Sequence, residues 1–295
     1  MKNSDFRPVG SYPAIVTPFC ADGSALDRES FVQLLHYLLS HGADGIVVCG
    51  STGEGTALSG DEYRAVVELA AGEMAGRAPC VAGISVSSTA RACELGRMAA
   101  SAGADALLVV APPYNKPSQE GMLEHFRAVR RESGLAVIAY NVPGRTSSNL
   151  LPATAGRLAG EGVIAGIKEA SGSMDQIMDL FSQVGDSISV MAGDDSMVLA
   201  IMAAGGKGVI STTANLIPEV FRRITDGARR GHWEDARKAQ FEALPVVRAM
   251  FMESNPVPVK AALEMKKLIR SGVPRLPLLA AREETRRRIS ELGVL

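Results

Sequence analysis

The stretch VIAGIKEASG, residues 163–172, is an apolar run that ends on Lys168. Lysine is among the residues least often buried, so a lysine closing such a run needs a use or a partner. Taken out of water, an amine loses basicity, and a neutral amine attacks a ketone to give a Schiff base. The plainer alternative is a structural lysine paired with the adjacent Glu169 or another carboxylate. Two hydroxyls favour the chemistry. Tyr140 closes the run LAVIAYNVP and Ser51 follows the run GIVVCG. Both side chains donate and accept hydrogen bonds, so both can relay protons. Gly50-Ser51-Thr52-Gly53-Glu54 is a small-residue turn whose successive N–H groups can hold an anion; an ordinary tight turn has the same composition. Arg145 follows Pro143-Gly144, and its planar fork suits a carboxylate, although lone arginines are common on surfaces.

Metal chemistry finds no such support. The histidines are His36, His41, His125 and His232, and none stands in an H-x-H or H-E-x-x-H pattern. The cysteines, Cys20, Cys49, Cys80 and Cys93, form no C-x-x-C pair. No metal site is expected, and reduced thiols in the cytoplasm are the default. The first ten residues, MKNSDFRPVG, hold no apolar segment of the kind that directs secretion. No apolar run approaches the ~20 residues that span a bilayer. The formal net charge is -1 over 295 residues, and no basic stripe marks a nucleic-acid surface. The Arg282–Arg288 cluster is interleaved with Glu283, Glu284 and Glu291, as on a solvated helix face.

Lys168, Tyr140 and Ser51 need a scaffold that brings them together. Eight apolar, β-branched-rich runs serve: 12–19, 45–50, 78–85, 106–112, 135–143, 163–171, 188–195 and 207–215. They are continuous rather than alternating, as in strands buried on both faces. Helix signals lie between them. Phe31, Leu34, Leu35, Leu38 and Leu39 share one face; Ser59–Glu62 and Ser173–Gln176 read as capping boxes; Pro218 opens a helix. The runs start 19–33 residues apart, the size of a βα unit. Eight such units close into an α/β (β/α)8 TIM barrel. A doubly wound sheet would want G-x-G-x-x-G after its first strand, and AIVTPFCADGS lacks it. Residues 218–230, 234–252, 257–271 and 279–292 read as helices, the last three forming a C-terminal extension. The expected division is a barrel over 1–231 and a helical layer over 232–295.

In such a barrel the active site gathers at the C-terminal strand ends. That rule brings together Thr17, the 50–54 turn, Tyr114, Tyr140, Arg145, Lys168, Gly193 and Ser211-Thr212. Hydroxyls, one lysine and one arginine converge there, and histidine does not.

Seven motifs, GSTGE (50–54), YNKPSQEG (114–121), YNVPGRT (140–146), GIKEASG (166–172), AGDD (192–195), GVISTTAN (208–215) and NPVPVK (255–260), together resemble the dihydrodipicolinate synthase and N-acetylneuraminate lyase family. These are class I pyruvate-dependent aldolases, and the synthases are the nearer branch. The resemblance implies that Lys168 condenses with the keto carbon of pyruvate, with no other cofactor. It makes Tyr140 the proton-passing tyrosine and Ser51 its link to Tyr114, which reaches into a neighbouring subunit's site. Thr52 falls at the pyruvate carboxylate site and Arg145 at the aldehyde carboxylate. Ile210, by its backbone carbonyl, and Gly193 fall among the substrate-binding positions. The implied partners are pyruvate and an aldehyde, L-aspartate 4-semialdehyde in the synthases, and the implied assembly is a homotetramer of two tight dimers.

Ser51 stands where the synthases usually have threonine, Pro113 replaces a tyrosine, and Gly83-Ile84-Ser85-Val86-Ser87 replaces G-T-G-A-N. These departures keep a sibling aldolase or dehydratase acting on a sugar acid or hydroxy-keto acid as an alternative. A non-catalytic keto-acid-binding barrel is an alternative of another class, and the retained hydroxyl and lysine set argues against it. The family's lysine-inhibition positions hold Gly60, Tyr63, Ser87, Arg91 and Pro113, all changed. Inhibition by lysine through that site is therefore not expected.

Overall fold

Each of the eight apolar runs supplies one parallel strand: β1 Gly10–Pro13, β2 Ile46–Val48, β3 Cys80–Ile84, β4 Ala106–Val110, β5 Ala136–Asn141, β6 Gly166–Glu169, β7 Ser189–Ala192 and β8 Gly208–Ser211. The computed structural model describes residues 6–295; half of the N-terminal stretch judged for secretion lies outside them. The strands neighbour one another in the order β1-β8-β7-β6-β5-β4-β3-β2. A bridge between Ala14 and Val47, with Ile15 N–H donating to Val47 O at 2.9 Å, joins β1 to β2 and closes the ring. The expected (β/α)8 barrel is the fold.

Strand β1 lies earlier than the run 12–19 that marked it. It starts at Gly10, whose φ of +96° suits glycine and whose missing Cβ would fall 2.1 Å from Asp44 Oδ2. Its last residue is Pro13, opposite Ser211, and Ala14 N–H still donates to Ser211 O at 2.8 Å. Gly10 and Ser11 carry no apolar side chain, so hydrophobicity alone could not place this edge.

The helices around the ring are α1 Arg28–Ser40, α2 Gly60–Met74, α3 Thr89–Ala102, α4 Gln119–Ser133, the single turn α5 Pro143–Thr146, α6 Pro152–Gly160, α7 Met174–Val184, α8 Val198–Ala203 and α9 Pro218–Arg229. Ser59 and Glu62 form the expected reciprocal cap of α2, at 2.9 and 3.2 Å. At α7 only half of the cap forms. Gln176 N–H reaches Ser173 Oγ, but the Gln176 side chain is held by Asn149.

Strand side chains alternate between two apolar cores, as the two-residue period of a strand requires. Ile46, Val48, Leu107, Val109, Val137, Ala139 and Ile167 pack outward under the helices. Val47, Leu108, Val110, Ile138, Tyr140, Met191 and Ile210 fill the barrel interior. Each fully buried Val, Leu or Ile contributes roughly 1.5–3 kcal/mol. This alternation aims the site residues: Ile167 faces out, so Lys168 faces in, in register with Tyr140 on β5 and Met191 on β7.

Three helices follow the barrel: α10 Trp233–Met250, α11 Val257–Met265 and α12 Glu283–Ser290. The second ends and the third begins several residues inside the expected bounds. Between them Pro274 and Pro277 withhold backbone donors, and residues 276–277 turn, with Leu278 N–H donating to Arg275 O at 3.0 Å. This stretch lies against the barrel mouth, where the Arg275 side chain bonds the carbonyls of Gly23 and Ala57 and the Glu62 carboxylate.

Candidate active site

Lys168 is 5% exposed, and its Nζ sits 4.4 Å from the centroid of the Tyr140 ring. Glycine at 193 makes room for it: a Cβ there would lie 2.7 Å from Ala170 Cβ and 3.1 Å from Lys168 Cγ. Burial pushes the Lys168 amine down to about 8, against the opposing pull of the Asp195 and Asp194 carboxylates. An appreciable share of the amine is therefore neutral near neutral pH. Burial likewise pushes the Tyr140 phenol up to about 12, so the hydroxyl stays protonated and able to donate.

Glu169 does not pair with Lys168. One residue further along the strand, it points away from the barrel interior. Its carboxylate accepts from Ser171 N–H at 2.6 Å and Asn141 Nδ2 at 3.1 Å. Among the described residues no carboxylate pairs with Lys168 directly, and Asp195 and Asp194 act on it only as nearby charges. The ion-pair alternative is overturned by this geometry.

The turn after β2 is built by backbone constraint. Cys49 and Glu54 both have left-handed φ, 55° and 51°, a conformation that non-glycine residues rarely adopt. Gly55 fits because a Cβ would fall 2.0 Å from Cys49 O, and Gly83 because a Cβ would fall 2.7 Å from Gly50 Cα. The turn presents Thr52, whose Oγ1 is 3.0 Å from Thr212 Oγ1 at the end of β8. Asn255 Nδ2 donates to both hydroxyls, at 2.9 and 3.2 Å, and Asn255 Oδ1 is buried with no hydrogen-bond partner among the described residues.

An inner cavity of about 50 Å³ is lined by Ser51, Thr52, Tyr140, Arg145, Lys168, Gly193, Asp194, Thr212 and Asn255 among others. It shares Ser51, Val142, Arg145 and Asn255 with an outer cavity of about 360 Å³ that Pro113 and Leu276–Leu278 also border. Arg145, on α5, therefore stands where the two cavities meet. The inner one can take a small keto acid beside the amine, and the outer one a second, carboxylate-bearing molecule.

Of the residues expected at the site, Lys168, Tyr140, Ser51, Thr52, Arg145 and Gly193 surround one cavity. Tyr114 does not join them: it is 86% exposed, with φ of 73°. The Ile210 side chain packs within the barrel interior, paired in register with Tyr12. Tyr140 and Ser51 border the same space, but no hydrogen bond links their hydroxyls among the described residues.

A model of the dihydrodipicolinate synthetase family matches residues 7–292 of the chain. The chain belongs to this family. A 4-hydroxy-tetrahydrodipicolinate synthase of Citrifermentans bemidjiense is 46% identical, over 91% of this chain and 92% of the relative. That of Methanopyrus kandleri is 42% identical over 98% of both. Among solved structures, the dihydrodipicolinate synthase of Thermotoga maritima superposes with a TM-score of 0.94 at 36% identity, covering 97% of this chain and 99% of the other. The chloride-inhibited dihydrodipicolinate synthase of Acinetobacter baumannii, complexed with pyruvate, gives the same TM-score, identity and coverage.

For a dihydrodipicolinate synthetase family member, the main omission is Asn255 as a donor to the site; Thr212 and Asp194 stand at the strand ends already gathered there, but without an assigned role. The NPVPVK motif held the signal for Asn255. It lies beyond the last strand, however, so the rule that sites gather at strand ends passed over it. At the positions tied to lysine inhibition, Arg91 pairs with Glu94 at 2.6 Å and sets its Nη2 3.6 Å from where a Gly60 Cβ would be. Tyr63 is buried.

Proposed function

We propose that this chain condenses pyruvate with L-aspartate 4-semialdehyde to give 4-hydroxy-tetrahydrodipicolinate, as a lyase of lysine biosynthesis, through a Schiff base on Lys168. The observation that carries the mechanism is the buried Lys168 amine, unpaired and 4.4 Å from the Tyr140 ring beside a cavity sized for a small keto acid. The neutral amine adds to C2 of pyruvate. The resulting carbinolamine loses water, with the Tyr140 hydroxyl passing the proton, and leaves an imine. Loss of a methyl proton gives the enamine, whose carbon attacks the aldehyde of the semialdehyde. The amino group of that substrate then displaces Lys168 from C2, closing the ring and restoring the free amine. No electron acceptor is required, and one water leaves overall.

The small hydroxyl-rich corner formed by Thr52, Thr212 and Asn255 supports a pyruvate carboxylate site, and the place of Arg145 between the cavities supports a grip on the semialdehyde carboxylate. The exposure of Tyr114 supports its role in a neighbouring subunit's site, within a homotetramer of two tight dimers. Ser51 is the intended link between the two tyrosines, and Ile210 contributes its carbonyl. The reaction belongs in the cytoplasm, where the four free cysteines stay reduced. No helix among the described residues is long and apolar enough to cross a membrane.

The test is turnover on a panel of aldehydes with pyruvate, using wild type and Arg145→Ala. Turnover with aspartate semialdehyde is expected in the wild type. Losing a charged bidentate contact should raise the semialdehyde KM roughly tenfold to a hundredfold in the variant, with pyruvate imine formation intact. Turnover with another aldehyde and none with aspartate semialdehyde would assign the chain to a sibling activity.

A further inference from the structure

The turn that carries Ser51 and Thr52 is anchored from behind by a second buried lysine. Lys260, on α11, is 0% exposed. Its Nζ donates to Glu54 Oε1 at 2.7 Å and to Thr17 O at 3.0 Å. Thr17 Oγ1 in turn donates to Gly53 O at 2.6 Å, which closes a ring of contacts through the turn. The other Glu54 oxygen accepts from Arg275 N–H at 2.8 Å. Both cations stack on one ring, Lys260 at 4.4 Å and Arg275 at 4.2 Å from the Phe19 centroid. The Arg275 guanidinium continues to Glu62 through two bonds of 2.7 and 2.6 Å, tying the network to the first turn of α2.

Glu54 is itself left-handed, with φ of 51°. A non-glycine residue stays there only when surrounding contacts over-determine it. Its carboxylate is held by two donors from the C-terminal layer, more than 200 residues away in sequence. The chain direction through residues 51–54, and so the placement of the Thr52 hydroxyl beside Thr212, depends on those contacts.

We propose that Glu54 and Lys260 are positioning residues for the pyruvate site: their ion pair fixes the 50–54 turn from the C-terminal layer, and Arg275 locks the pair in place. This rests on the pyruvate reading above. None of the three borders the inner cavity. Glu54 and Arg275 border the outer one, but both Glu54 oxygens are taken by Lys260 and the Arg275 N–H, and the Arg275 guanidinium is held by Gly23, Ala57 and Glu62. They act through Ser51 and Thr52, so their loss should weaken pyruvate binding more than aldehyde binding.

The experiment compares wild type, Glu54→Gln, Glu54→Asp and Arg275→Lys. For each, the fraction of chains trapped by borohydride at saturating pyruvate gives the number of competent sites, and steady-state kinetics give both KM values. Glu54→Gln is expected to raise the pyruvate KM about tenfold, the equivalent of one hydrogen bond to a charged group, and to change the aldehyde KM less than about twofold. Glu54→Asp keeps the charge but shortens the reach, so it should fall between wild type and Glu54→Gln. Arg275→Lys, at a partly exposed position, should fold and give a smaller rise of the same kind. A purely structural role would lower the trapped fraction and leave both KM values per competent site unchanged, and that result overturns the proposal. If Glu54→Gln does not fold, an unchanged pyruvate KM in Arg275→Lys and Glu54→Asp overturns it equally. If the wild type itself gives no pyruvate adduct, the functional reading fails rather than this one.

Discussion

Lys168 and Lys260 have equal claims to being misplaced. Both are buried, at 5% and 0% exposure, and both set their Nζ 4.4 Å from the centroid of an aromatic ring. They differ in what else they touch. Lys260 meets the Glu54 carboxylate at 2.7 Å and the Thr17 carbonyl at 3.0 Å. Lys168 meets a cavity, with Asp194 and Asp195 acting on it only as nearby charges. Burial lowers the basicity of both amines, and for Lys260 the Glu54 carboxylate pulls in the opposite direction. A direct carboxylate partner fixes a proton on the amine and occupies its donors, so Lys260 is suited to hold structure. An amine without that partner can lose its proton and attack, so Lys168 is suited to chemistry. Contact with a carboxylate, rather than depth, separates the two.

The comparison predicts that one substitution made at both sites has opposite effects on stability. Lys260→Met leaves the Glu54 carboxylate buried and unpaired, which should destabilise the fold by about 3–5 kcal/mol in chemical denaturation. An unchanged denaturation midpoint would mean that the pair is not desolvated in the way described. Tyr140→Phe keeps the ring beside Lys168 and removes the hydroxyl. Its kcat should fall by roughly 10²-fold or more, while thermal stability stays near wild type. A kcat within a few fold of wild type would remove Tyr140 from the proton path.

Lys168→Met should stabilise the protein, by roughly 3 kcal/mol at pH 7. The sign follows from protonation. Folding lowers the Lys168 value from 10.5 to about 8, so the unfolded chain binds the proton more tightly. The penalty for the buried charge is complete below about pH 8 and disappears as pH rises toward 10.5. The stabilising effect of Lys168→Met should therefore shrink over that interval. An effect independent of pH would indicate that packing, not charge, is responsible.

Much of the architecture was readable from order and period alone. The eight apolar runs give eight strands, and alternation along β6 sends Ile167 outward and Lys168 inward. The strand-end rule gathered six of the expected site residues around one cavity. What could not be read depends on tertiary contact. Asn255 and Lys260 come from the C-terminal layer to meet Thr52 and Glu54, and no local pattern announces those pairings. Nor could sequence adjacency decide between Glu169 and the cavity as the neighbour of Lys168. Strand alternation did so, by sending Glu169 to Asn141 and Ser171. At α7 the serine and glutamine of a capping box were present, yet Asn149 took the glutamine.

The central claim, that Lys168 and not Lys260 is the covalent anchor, is tested most directly by borohydride reduction in the presence of pyruvate, followed by peptide mass mapping. Imine formation releases water, and hydride then fixes the adduct as a 1-carboxyethyl group on the lysine nitrogen. The account predicts that this group appears on the Lys168 peptide alone, at a rate that rises as pH approaches about 8. An unmodified Lys168 peptide, or an adduct on Lys260, would contradict it.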